Sequence, residues 1–232
     1  MIEQIIQWDK EFLVTLNGSS SPFLDGIMMT ITETPTWIPL FVCLLYIIVR
    51  NNNWRSTFLI IAMVALLITL SDQFSSGFCK PYFHRLRPSR EPELAEVIDL
   101  VNGYRGGLYG FISSHASNTF GLSVFFSLLF RCRKVTPLLL LYACLASYSR
   151  IYLGVHYPLD ILMGTIWGVL CGVMVYALYH WVSKRWRPYV PAYTSSYTAT
   201  GYKYSDFISV FVVFPVIFIY IIIRAAMFAA SS

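Results

Sequence analysis

Charge is scarce in this chain. Asp, Glu, Lys and Arg make up 12% of its 232 residues, against roughly 25% in an ordinary soluble domain. With 56% hydrophobic residues and a mean hydropathy of +0.60, that scarcity excludes a water-soluble globule and points to a membrane protein. No polar linker divides the chain, so one bundle is expected rather than two domains. The five cysteines (Cys43, Cys79, Cys132, Cys144, Cys171) show no C-x-x-C spacing, which argues for free thiols rather than a zinc site or disulfide framework. The formal charge is only +5 and the basic residues form no long run, so no nucleic-acid partner is expected. Glu3, Asp9, Lys10 and Glu11 interrupt the first twenty residues, leaving no apolar core for a cleavable signal peptide. Nothing resembles a carboxylate cage for a metal, and no cofactor is expected.

What is present is a series of long apolar segments. A spanning helix needs about 20 mostly apolar residues. Candidates run over Thr36–Val49, Arg55–Cys79, Ala116–Phe130, Thr136–Tyr152, Pro158–Val182 and Phe207–Ala230. The first is short and must borrow turns from the Pro35 region or from Asn51–Asn53. Residues 2–17 place Ile5, Ile6, Trp8, Phe12, Leu13 and Leu16 at roughly helical spacing between charges, the pattern of a helix lying on the membrane surface. Residues 22–33 read as a second interfacial or partly inserted helix. The expected fold is therefore all-α: a polytopic membrane helical bundle of about six transmembrane helices plus an N-terminal interfacial helix. Residues 1–34 form the interfacial segment, 35–182 the membrane core, and 183–232 a loop and the last span. Pro81 is expected to stop the second span, while Pro137 and Pro158 suit first helical positions. Gly164, Gly168 and Gly172 recur every four residues, a small-residue face for helix packing or for a dimer contact.

Six spans bring three polar clusters to one membrane face. They are Lys80…Arg87-Pro88, Ser113-Ser114-His115, and Ser149-Arg150…His156…Asp160. The opposite face receives Arg50, Arg55, Arg131, Arg133, Lys134, Lys184, Arg185, Arg187 and Lys203. By the positive-inside rule that face is cytoplasmic and the clusters face outward. Guanidinium forks on Arg87 and Arg150 and the point charge of Lys80 fit phosphate oxygens. A Ser113 or Ser114 N-cap followed by free amides offers an anion site at a helix start, with His115 in its first turn. Pro158 starts the fifth span and puts Asp160 within reach of His156. A carboxylate there fixes the imidazole tautomer and leaves the other nitrogen free to attack. Arg85, Arg90 and Arg105 read as headgroup contacts, and His84 and His180 fall outside the motifs. The loop from Ser89 to Tyr109, with Gly106, Gly107 and Gly110, suits either a mobile flap over the substrate or an ordinary solvated loop. Residues 189–204, rich in Tyr, Ser and Thr, read as an interfacial loop.

The spacing Lys80-x6-Arg87-Pro88, Ser113-x-His115 and Ser149-Arg150-x5-His156-x3-Asp160 closely resembles the three-part signature of the type 2 phosphatidic acid phosphatase superfamily, over roughly residues 58–180. The first and third motifs match at every defining position. The second departs, with Ile112-Ser113-Ser114-His115 where the family commonly has Pro-Ser-Gly-His. The resemblance implies a metal-independent lipid phosphatase with His156 as nucleophile, oriented by Asp160, and His115 as general acid. Lys80, Arg87, Ser113, Ser114 and Arg150 would bind phosphate. The implied partner is a phosphorylated lipid in a bilayer, either a lipid A phosphate or a polyprenyl diphosphate. A multi-pass cell membrane protein of the bacterial inner membrane, its site facing the periplasm or exterior, would follow. The competing class is a non-enzymatic lipid-phosphate or anion binding or transport protein, against which the paired histidines argue.

Overall fold

The computed structural model describes residues 1–184 and 195–231. Its helices are α1 (Ile2–Leu16), α2 (Pro22–Thr32), α3 (Ile38–Asn51), α4 (Trp54–Asp72), α5 (Lys80–Phe83), α6 (Ser114–Phe130), α7 (Thr136–Tyr152), α8 (Pro158–Ser183) and α9 (Ile208–Ser231). Among the described residues the strand-like pairings are isolated bridges, Leu86 with Tyr109 and Tyr197 with Lys203.

Helix α6 is the axis of the bundle, packed by α4, α7 and α8. Its Phe125, Leu129 and Phe130 are buried with Trp37, Leu44, Ile47 and Ile60 in the main apolar core. The glycine row on α8 is spent inside the chain, against α6. A Cβ on Gly164 would stand 2.5 Å from the Ser113 carbonyl oxygen, and one on Gly172 would stand 2.7 Å from that of Gly121. One on Gly168 would collide with the Ser117 carbonyl. Of the two uses open to this row, helix packing is the one it serves. The seam also sets the relative placement of His115 and Asp160, one on each of its two helices.

Among the described residues, four stretches are long and apolar enough to cross a membrane: Thr34–Asn51, Trp54–Phe83, Pro158–Ser183 and Tyr204–Ser231. The first gains its length from a 3-10 turn over Thr34–Trp37. The other two expected spans, α6 and α7, have 17 residues each, about 25 Å at 1.5 Å per residue against a hydrocarbon core of about 30 Å. Helix α6 sits in the middle of the bundle, and α7 packs against it and against α2. Helix α2 is packed rather than peripheral, since a Cβ on Gly26 would lie 2.8 Å from Ala225 Cα of α9. Helix α1 turns Ile5, Ile6, Trp8 and Phe12 outward and buries Leu13 and Asp9.

Proline sits in the first turn at both expected places, at the first position of α8 (Pro158) and the second of α7 (Pro137). Pro81 does not stop its span. The chain passes through π-helical turns at Gln73–Cys79, with the Lys80 amide bonded to the Ser75 carbonyl, and continues through Pro81 as α5. The missing proline amide falls where the hydrogen-bonding register changes, so little is lost. The helix ends at His84, whose φ of 47° is left-handed.

The basic end of the bundle is tied together by side chains. Asn51 donates to Asp206 at 2.9 Å, Asn52 to the Tyr202 hydroxyl at 3.0 Å, and Thr200 to the Phe130 carbonyl at 2.9 Å. Arg185 and Arg187, and residues 189–194 of the expected interfacial loop, lie outside the described residues. The five cysteines are free thiols, with Cys144 alone exposed.

Candidate active site

Each polar cluster is placed by a helix end. Ser113 is the N-cap of α6, and its hydroxyl accepts the Ala116 amide at 3.3 Å. The Ser113 amide in turn donates to the Asp160 main-chain oxygen at 3.0 Å, joining the starts of α6 and α8. Tyr157 caps α8, and its amide donates to Asp160 Oδ2 at 3.1 Å. The same oxygen lies 3.3 Å from His156 Nδ1. Asp160 is 0% exposed and His156 2%, so this pair is enclosed by protein. The Val155 and His156 amides both bond to the Arg150 carbonyl, at 3.1 and 3.2 Å. That turn brings the imidazole back toward the end of α7.

The cations converge on the same place. Arg87 donates through Nε to the Tyr109 carbonyl at 3.1 Å and through NH1 to the Val155 carbonyl at 3.3 Å, next to His156. Arg150 donates to the Thr32 hydroxyl at 2.7 Å and the Tyr104 hydroxyl at 3.1 Å. Its Nε is buried without a partner among the described residues. Lys80 donates to the Ser114 hydroxyl at 2.7 Å and to Ser76 at 3.0 Å. The hydroxyl that departs from the family pattern therefore holds a cation of the first motif. Ser149 is spent internally, donating to the Ala146 carbonyl at 2.8 Å. Burial, followed by the charges of Arg87, Arg150, Lys80 and His115, drives the His156 imidazole well below its ordinary pKa. Its ring is held neutral with a lone pair available, at the point where cations gather.

The loop after α5 is stitched to the site. Arg87 N donates to the Leu108 carbonyl at 3.0 Å, Gly110 N to that of Arg85 at 2.9 Å, and Ser89 N to that of Gly154 at 2.9 Å. Arg105 and Arg90, expected at headgroups, instead donate to the carbonyls of Ser89 and Gly106, both at 3.2 Å. Gly110 is required by close approach, because a Cβ there would stand 2.8 Å from Asp160 Oδ2 and 3.6 Å from His156 Nδ1.

Sequence reasoning missed Arg85, also read as a headgroup contact. It pairs with Asp160 Oδ1 at 3.0 Å and with Asp9 at 2.6 Å. The available signal was an arginine two residues before Arg87, at the same helix end; its partner on α1, 76 residues away, left no trace in local spacing. His84 meets the edge of the Tyr109 ring, with centroids 5.0 Å apart.

A cluster of three cations and two histidines, gathered at one end of an apolar helical bundle, fits a membrane-embedded phosphatase. Residues 57–187 match the family model of the PAP2 superfamily, and the chain belongs to that family. It is 40% identical to the lipid A 4'-phosphatase of Bacteroides thetaiotaomicron, over 80% of this chain and 83% of that protein. It is 37% identical to the lipid A 4'-phosphatase of Porphyromonas gingivalis, over 80% and 78%. The crystal structure of Aquifex aeolicus LpxE superposes with a TM-score of 0.50, covering 71% of this chain and 92% of that one at 24% identity, a likeness of fold.

Proposed function

We propose that this protein removes a phosphate from a lipid A-type glycolipid at the outer face of the bacterial inner membrane, through a phosphohistidine intermediate. The observation that carries the reading is His156: a buried, neutral imidazole backed by a carboxylate and ringed by Lys80, Arg87 and Arg150. A binding or transport protein needs the cations but not an oriented nucleophile. His156 attacks phosphorus through Nε2, while Asp160 accepts a hydrogen bond from Nδ1–H and stabilises the positive charge that develops on the ring. His115 protonates the departing oxygen and then takes a proton from the attacking water, which releases phosphate and frees His156. Lys80, Arg87, Arg150, Ser113 and the amide of Ser114 hold the equatorial oxygens, where transition-state charge accumulates. These side chains meet the charge that a metal ion meets in other phosphatases. The lipid A 4'-phosphatase relatives support the substrate class, and the basic residues at the opposite end of the bundle support the outward orientation.

A cleft of about 410 Å³ descends from His115, lined by Trp37, Phe41, Ile68, Asn118, Leu122 and Tyr142 among others. Leu122 lies seven residues beyond His115, about 10 Å along the helix. The cleft therefore leads from the leaving-group acid toward the bilayer core and accommodates an acyl chain of the substrate. Leu122→Trp is expected to raise KM about tenfold for the lipid and to leave a water-soluble aryl phosphate unaffected, as paired kinetics on the two substrates would report.

The pH profile carries a second expectation. Protonated His156 cannot attack, so kcat/KM falls on the acid side only as pH drops through a pKa well below the ordinary 6.5. Bound phosphate, being anionic, favours the imidazolium, so the acid limb of kcat lies at higher pH than that of kcat/KM. An acid limb of kcat/KM at or above about pH 6.5, the ordinary imidazole value, would contradict a buried neutral nucleophile.

Phosphate release by purified protein from lipid A, undecaprenyl diphosphate and phosphatidylglycerol phosphate tests the reading. Lipid A is expected to be hydrolysed fastest, with the signal lost in His156→Ala. A faster rate on undecaprenyl diphosphate would reassign the substrate. No release from any of the three would sink the phosphatase assignment.

A further inference from the structure

Asp160 has a second line of contacts, which leads away from the phosphate pocket. Its Oδ2 serves His156 and the Tyr157 amide, and its Oδ1 accepts Arg85 NH1 at 3.0 Å. The other end of the Arg85 fork, NH2, reaches Asp9 Oδ2 on α1 at 2.6 Å. The remaining oxygen of Asp9 accepts the Leu159 amide at 2.9 Å, one residue before Asp160. Asp9 is 4% exposed, and the guanidinium lies 4.0 Å over the Tyr157 ring.

This arrangement has a physical logic. Helix α1 exposes Trp8 and Phe12 and buries an acid, which is costly unless the charge is fully paired. Asp9 is paired twice, with Arg85 and with an amide of the first turn of α8, whose amides have no partner within the helix. It grips both the turn that carries Asp160 and the cation that holds Asp160. A carboxylate can orient an imidazole only if it cannot rotate, and the Arg85 fork locks the oxygen that His156 does not use. The charged groups gathered around Asp160 are Arg85 and Arg87 from the loop, Asp9 from α1, Lys80 from α5 and its neighbour His156. Without Arg85, its like-charged neighbour Asp9 would stand uncompensated.

We propose that Asp9 and Arg85 are positioning residues, and that the N-terminal helix completes the active site through the line Asp9–Arg85–Asp160–His156. The inference rests on the phosphatase reading for its reaction and on the contacts themselves for its geometry.

The test uses full-length protein in detergent, with Arg85→Gln, Asp9→Asn and the double variant. Lys10→Met is the control, because it removes the other ion pair of α1, 2.6 Å to the exposed Glu93, without touching the line. Arg85→Gln and Asp9→Asn are expected to lower kcat by about 10- to 100-fold with KM within about twofold, the pattern of a defect in the chemical step. The acid limb of kcat/KM, set by protonation of His156, moves up by about one pH unit in Arg85→Gln, because loss of a nearby cation favours the imidazolium. The double variant is no worse than Arg85→Gln, since the two act as one unit. Lys10→Met keeps wild-type kcat. Orthovanadate, a mimic of the phosphoryl transition state, binds Arg85→Gln about tenfold more weakly than wild type. A kcat within about twofold of wild type would overturn the proposal. So would an unmoved acid limb with a loss that merely follows a lowered melting temperature. If wild type releases no phosphate, the phosphatase reading fails by itself, and vanadate binding then decides: equal affinity in wild type and Arg85→Gln refutes the line.

Discussion

Alanine at position 156 is expected to abolish phosphate release, lowering kcat by about 10⁴-fold or more, the scale on which removal of a nucleophile is felt. The imidazole is enclosed, held by Asp160 at 3.3 Å and surrounded by Lys80, Arg87 and Arg150. Those cations cannot attack phosphorus in its place, and water entering the vacated volume would have no oriented base beside it. Substrate binding should survive, because the cations proposed to hold phosphate are untouched, so the loss falls in kcat rather than KM. His115→Ala is expected to fail differently. It should lose activity on lipid substrates, yet still form phosphoenzyme from an aryl phosphate, whose departing oxygen needs no proton, and then turn it over slowly because no base remains to activate the water. Rapid-quench trapping of an acid-labile phosphoenzyme from His115→Ala and not from His156→Ala would separate the two roles. Substantial lipid phosphatase activity in purified His156→Ala would remove the nucleophile assignment.

A second large effect is expected far from the phosphate, at the α6–α8 seam. Gly168→Val should destabilise the bundle by about 3 kcal/mol or more, above the usual range for small-to-large changes, because its Cβ would strike the Ser117 carbonyl, which is backbone and cannot swing aside. Any separation of α6 from α8 also parts His115 from Asp160, so activity should fall with stability. Thermal unfolding in detergent measures the first and phosphate release the second. A variant that melts with wild type would show that the seam is looser than its geometry. Leu170 provides the contrast on the same helix, facing away from the seam and 49% exposed; Leu170→Ala is accordingly expected to be nearly neutral.

The two effects mark what could be read in the sequence. The apolar segments gave helix positions closely, since Pro137 and Pro158 punctuate them and hydropathy averages over many residues. The candidate site residues Lys80, Arg87, Ser113, Ser114, Arg150, His115, His156 and Asp160 stand at fixed spacings, and the structure brings them to one end of the bundle. Lost to the sequence were contacts between segments far apart in the chain. Arg85 resembled any interfacial arginine until Asp9 and Asp160 closed on it. The glycine row was visible as a row, but only packing showed that its partner was α6. Pro81 misled because a proline rule for regular α-helices was applied where the helix is not regular.

That irregularity has a consequence for how this segment can change. The π-helical turns at Gln73–Cys79 hold one residue more than regular turns would, and Lys80 follows at once. Deleting one residue there would turn the wide turn into a regular one and leave Lys80 close to its present face, toward Ser114. The same deletion in the regular turns of α4 would swing everything beyond it, Lys80 included, by roughly 100° about the helix axis. The wide turn is thus the one stretch of this span that can shed a residue and still keep its cation in place, and a single deletion between residues 73 and 79 should be tolerated better than one within α4.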